Sequence, residues 1–121
     1  MLEKKEVENN IYEISKAFAI RIVNLYKFLK EEKSEFIISK QLFRSGTSIG
    51  ANVFEGKNAQ SRADFANKMN VALKEATESA YWLDLLHETQ YLTDKEYNSI
   101  TDECSKIIGV LTKIVKATKQ L

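Results

Sequence analysis

At 121 residues with 44% apolar side chains, the chain has the length for one domain with a sizeable core rather than a stapled miniprotein, and residues 1–121 are expected to form that domain. Eighteen Lys and Arg against seventeen Asp and Glu leave a formal net charge of +1, which argues against a nucleic-acid-coating polycation and an acidic tail, so a charge-based function must come from local patches. The single cysteine, Cys104, excludes an internal disulfide and a thiolate metal cluster, and the N-terminal MLEKKEVENN has no apolar signal core; a soluble, cytoplasmic protein without a membrane segment is expected.

Proline is absent, and three of the four glycines lie within Phe43–Gly56, so long helices are favoured over a many-turned β protein. From Val7 on, Ile11, Ile14, Phe18, Ile22, Leu25 and Leu29 recur at steps of three and four, which predicts a first helix ending at KEEKSE; Asn10, followed by Glu13, offers a cap at its start, a start a few residues earlier being the alternative. A second helix is predicted over about 35–55, with Ile38, Leu42, Ile49 and Val53 facing the core and Gly56 placed to end it. Ser61 and Asp64 form a capping box for a third helix whose inner row is Phe65, Met69, Ala72, Ala76, Ala80 and Leu83, fading near Gln90. Thr93 and Glu96 cap a fourth, lined by Tyr97, Ile100, Cys104, Ile107, Leu111, Ile114, Thr118 and Leu121. Four helices joined by short turns predict an all-α, antiparallel up-down-up-down four-helix bundle.

The glycine-rich stretch FRSGTSIGANVFEG is not a phosphate loop. Five residues, not four, separate Gly50 from Gly56, Asn58 stands where Ser or Thr is needed, and no strand precedes it. On a helical wheel Gly46 and Gly50 fall inside the apolar arc, and because a helical glycine costs about 1 kcal/mol against alanine, two of them one turn apart imply close approach by another backbone. The small row Ala72 and Ala76 on the third helix is the expected partner, so that the second and third helices pack closely there.

Opposite that arc lies a polar row of Gln41, Arg44, Ser45, Ser48, Asn52 and Glu55, which reads either as a solvated face or as a specific hydrogen-bonding face. Lys74, Glu75 and Glu78 are its candidate partners. The apolar surface is wider than one bundle core needs: Tyr12, Ala19, Val23 and Tyr26 form a second row on the first helix, and Phe36, Phe43, Phe54, Trp82 and Leu85 add to it. Such width favours self-association, the alternative being a thick monomer core.

QLFRSGTSIGANVFEG followed by SRADFANKMNVALKEATESAYWLDLL resembles the signature of the bacterial four-helix-bundle family encoded by intervening sequences of large-subunit ribosomal RNA genes. That resemblance implies a homopentameric ring and kinship with the accessory protein of diversity-generating retroelements, which binds nucleic acid beside a reverse transcriptase. It places Arg44, Ser48, Ile49, Asn52 and Glu55 on the second helix, and Phe65, Ala72, Glu75 and Glu78 on the third, at signature positions. Phe54 is a departure, since the resemblance implies a small residue there. Family members are not known as enzymes.

The residues agree on that last point. His87 and Cys104 differ by about 9 Å in height along their helices, and one Asp84-x-x-His87 is only a fragment of a bundle metal site. No catalytic group, metal, cofactor or small-molecule substrate is expected. After Glu103 the chain has no acidic residue, and Lys106, Lys113 and Lys116, with Lys119 nearby, would become a basic belt if repeated around a ring. Without interleaved aromatics, such a belt would meet the backbone of RNA or DNA in a salt-sensitive way. The competing explanation is a solvated lysine face that complements the helix dipole, with the oligomer serving as a scaffold for another protein.

Overall fold

The computed structural model describes residues 4–119, which form four helices: α1 (Lys4–Lys33), α2 (Ile38–Lys57), α3 (Arg62–Glu88) and α4 (Asp94–Lys119). Leu121, expected at the end of the fourth apolar row, lies outside the described residues. Helices adjacent in sequence pack side by side in an antiparallel up-down-up-down bundle, and α4 returns to α1 through the smallest of the four seams. Arg21 fixes that last register by donating from Nη1 to Glu103 and from Nη2 to Ser99, both at 2.8 Å.

The alternating steps of three and four bury most of what they predict: Ile11, Phe18, Ile22 and Leu29 from α1, Leu42, Ile49 and Val53 from α2, Phe65, Met69, Ala72, Ala76 and Leu83 from α3, and Ile100, Cys104, Ile107, Leu111 and Ile114 from α4, while Ile14, Leu25, Ile38, Ala80, Tyr97 and Thr118 are half-buried. Two of the helix starts are set by the predicted boxes. The Ser61 hydroxyl accepts from the Asp64 N–H at 3.1 Å, and Thr93 and Glu96 cap each other in both directions at 2.8 and 3.1 Å.

Three boundaries differ from expectation. α1 already runs from Lys4, so Asn10 is a helix-interior residue and caps nothing. α2 begins at Ile38 because Glu35, expected within the helix, instead folds its buried carboxylate over the helix start and accepts the N–H groups of Ile37, Ile38 and Ser39 at 3.1, 3.0 and 2.6 Å. Burial alone would push this carboxyl up, but the three backbone donors outweigh it and hold the group below its ordinary value. Finally, Gly56 does not end α2 in a left-handed turn; it stays helical with Asn58 as the cap, and its missing side chain admits Met69 and Lys68 of α3. The chain reversals use left-handed residues elsewhere, at Ser34 (φ 53°) and Gln90 (φ 71°).

Candidate interaction surfaces

Gly46 and Gly50 do mark a close approach, but to α1. A Cβ on Gly46 would lie 2.8 Å from Cγ1 and 3.0 Å from Cγ2 of Ile22, and one on Gly50 would lie 3.4 Å from the carbonyl oxygen of Ser15. The expected pairing of these glycines with Ala72 and Ala76 is therefore corrected. Both alanines are fully buried, and Ala76 meets α4, its carbonyl accepting from the Cys104 thiol at 3.4 Å. The reason lies in the wheel of α2: the helix is flanked on both sides, and its polar row, offset from the glycines, is the side turned to α3.

That row is consequently a seam as well as a surface. Arg44 donates from Nη1 to Glu75 at 3.2 Å and from Nη2 to Glu78, whose carboxylate also accepts the indole N–H of Trp82 at 2.9 Å. The Trp82 bond, with Arg44, holds the Glu78 carboxyl below its ordinary value despite some burial, and Glu78 in turn raises the Arg44 guanidinium. Beneath them Ser45 and Ser79 meet hydroxyl to hydroxyl at 2.9 Å, both fully buried, and Lys68 reaches Glu55 at 2.9 Å.

The rest of the row does not cross. Ser48 donates to the Arg44 carbonyl and Asn52 to the Ser48 carbonyl, so both fold back onto their own helix, while Gln41 and Lys74 are exposed. Ser79, Lys68 and Trp82 were missed as partners.

On the outer side of α1 and α2 the second apolar row forms an aromatic edge. Tyr26 and Phe43 have ring centroids 4.8 Å apart, and Tyr12 and Phe54 5.9 Å, with Lys57 Nζ 4.5 Å from the Tyr12 ring. Between Tyr12 and Phe54 runs an open groove of about 240 Å³ whose remaining walls are Lys16, Ala19, Thr47, Gly50 and Ala51. Phe54, the departure from the signature, is 54% exposed at its rim. Bare apolar rings beside small residues are the chemistry of a helix-docking surface.

Lys106, Lys113, Lys116 and Lys119 are all exposed on α4, and among the described residues none of them makes an ion pair. Cys104 is buried and its thiol is pushed up to about 11 by that burial, which keeps it protonated and unreactive. His87 is engaged with Asp94, Nε2 to Oδ1 at 2.6 Å, and stacks on Tyr97 at 4.1 Å. Among the described residues no helix is long and apolar enough to cross a membrane.

The family model described as 23S rRNA-intervening sequence protein matches residues 7–113 of this chain. Among solved structures, the chain is similar to a protein of unknown function from the S23 ribosomal protein family of Bacteroides thetaiotaomicron VPI-5482, at 55% identity and a TM-score of 0.89, over 91% of this chain and 98% of that one. No curated protein matches.

Proposed function

Since this chain belongs to the 23S rRNA-intervening sequence protein family, we propose that it is a non-enzymatic helical scaffold that assembles with copies of itself through the outer face of α1 and α2. The observation that carries this reading is the groove between Tyr12 and Phe54, an apolar surface that no described residue covers. Five copies are the number implied by the resemblance of the glycine-rich signature. The basic half of α4 then repeats around the assembly and meets the phosphate backbone of RNA or DNA without reading bases. The lack of catalytic activity is supported by the buried, protonated Cys104 thiol and by the engagement of Glu78 Oε2 with both Arg44 and Trp82.

Light scattering on the purified chain tests the assembly. A pentamer has a mass of about 70 kDa from subunits of 13.9 kDa. Ala51→Glu with Phe54→Glu, both at exposed positions, should return the subunit mass with helicity intact; a wild-type chain that stays monomeric at high concentration refutes the reading. Filter binding of structured RNA and duplex DNA at several salt concentrations tests the belt. Binding lost on Lys106→Glu, Lys113→Glu and Lys116→Glu supports it, whereas no binding at low salt leaves a scaffold for proteins, in which those lysines complement the α4 dipole.

A further inference from the structure

The nearly neutral chain is electrically polarised along the bundle. Residues 24–44 and 78–103 make the half ending in the α1–α2 and α3–α4 turns and carry six Lys and Arg against ten Asp and Glu. Residues 4–23, 45–77 and 104–119 make the other half and carry twelve against six.

The acidic end is also where large apolar side chains are left bare. Ile37 is 78% exposed and Phe36 54% in the α1–α2 turn, and Phe28 stands at the edge of an open cleft of about 560 Å³ beside Tyr91 and Leu92. Lys33, Glu88 and Asp94 supply charge to the same cleft. Lys33 is already occupied: it lies over the Phe28 ring at 5.8 Å and its charge acts on Glu96. Among the described residues Glu88 makes no ion pair and Asp94 meets only His87, so the cleft keeps surplus negative charge beside an apolar floor.

The chemistry of this end selects among occupants. Backbone donors that make a helix start attractive to phosphate are already taken here, three at α2 by Glu35 and that of Glu96 at α4 by Thr93, and the surplus charge is negative, so nucleic acid and anionic lipid are disfavoured. A second copy fits poorly. Its own acidic end would set carboxylate against carboxylate, and the turn at its basic end, Asn58-Ala59-Gln60-Ser61, has no large apolar side chain to fill the cleft.

We propose that this cleft is a docking site for a basic polypeptide segment with one large apolar anchor, the anchor resting on Phe28, Tyr91 and Leu92 and the flanking Lys or Arg meeting Glu88 and Asp94. The volume lies within the range of formed ligand sites, and the arrangement of apolar floor and charged rim is that of peptide-recognition surfaces. The site is separate from the α1/α2 groove and from the lysines of α4, so it stands whether or not the chain self-associates.

The test is fluorescence anisotropy with a labelled peptide of one phenylalanine flanked on each side by three lysines. Saturable binding is expected, weakened about tenfold or more by Phe28→Ser combined with Glu88→Lys and equally by replacing the peptide's phenylalanine with serine, but unchanged by Lys106→Glu with Lys113→Glu. Circular dichroism checks the fold of the double variant, and Glu88→Lys alone, at an exposed position, replaces it if helicity is lost. No binding, equal binding by the serine peptide, or indifference to the cleft variants overturns the proposal. So does binding of a 20-nucleotide RNA, or of vesicles of phosphatidylcholine and phosphatidylglycerol, that falls with the same cleft variants.

Discussion

Three glycines in helical backbone, read against their surroundings, should respond to one methyl group in three different ways. Relative to glycine, alanine favours helix by about 1 kcal/mol wherever the methyl has room. At Gly109 nothing lies within 4 Å of the added carbon, so Gly109→Ala should stabilise by about 1 kcal/mol. At Gly50 the nearest atom, the Ser15 carbonyl oxygen, is at 3.4 Å, an ordinary contact, and Gly50→Ala should be neutral to stabilising by about 1 kcal/mol. At Gly46 the new carbon would sit 2.8 Å from Ile22 Cγ1, and Ile22 is β-branched, stiff and only 1% exposed. Overpacking of that kind costs about 1–3 kcal/mol, so after the helix gain Gly46→Ala should destabilise by roughly 0–2 kcal/mol. Guanidinium unfolding at one protein concentration, followed by circular dichroism, measures all three. The decisive comparison is made in an Ile22→Ala background, itself weaker by about 2–5 kcal/mol, where the space opens and Gly46→Ala should change sign to stabilise by about 1 kcal/mol. If Gly46→Ala stabilises the native chain as much as Gly109→Ala does, the α1/α2 notch is not tight and the reasoning fails.

Replacing Glu35 with Ala should cost about 0.5–2 kcal/mol by stripping the cap from α2, read as a lower midpoint in urea. Because the folded-state pKa of Glu35 lies below its ordinary 4.5, its stabilisation is complete above that value and is lost as pH falls through the depressed folded value; Glu35→Gln should therefore flatten the acid limb of a pH–stability curve measured from pH 6 downward. Cys104, buried with its thiol raised to about 11, should resist iodoacetamide in the native protein at pH 8 and react when guanidinium unfolds it; rapid native labelling would contradict the buried thiol. Arg44→Ala should cost no more than about 1 kcal/mol because the pair with Glu75 and Glu78 is largely exposed, yet it should shift Trp82 fluorescence through the shared Glu78 carboxylate.

The helices and most of the core were legible because burial in a bundle follows the 3.6-residue period, and the apolar rows of α1, α3 and α4 supply most of the buried side chains, with Ile14, Leu25, Ala80, Tyr97 and Thr118 half-buried at their edges. Glycine's cost in a helix also made the close approach legible, but not its direction. α2 has two neighbours, and a wheel gives the angle between faces without saying which neighbour each face meets; of the two readings left open for the polar row, the seam with α3 is the one formed by Arg44, Ser45 and Glu55. The Glu75 and Glu78 partners were legible from complementary charge, whereas Ser45 with Ser79 was not, since two hydroxyls buried together carry no net signal in a single sequence. Glu35 escaped because its carboxylate caps from two residues before Ile37, outside the usual Ser/Thr/Asp/Asn spacing. The bare Phe28 and Ile37 lie outside the predicted core rows, and periodicity does not say how far an apolar residue off the row near a helix end is left open.

The weak closure between α4 and α1 has a consequence for how the molecule breathes. Three seams form a continuous sheet of contacts from α1 through α2 and α3 to α4, fastened by the glycine notch, the buried serine pair and the Cys104–Ala76 contact. Across the fourth, the smallest, the side-chain hydrogen bonds among the described residues are those of Arg21 to its two acceptors, beside a modest apolar contact. The cylinder is thus a rolled strip with one unsealed edge, and thermal excursions should peel it there first: amide deuteration should reach the edge helices α1 and α4 before the middle pair, and Arg21→Ala should widen that gap while leaving the slowest amides of α2 and α3 unchanged.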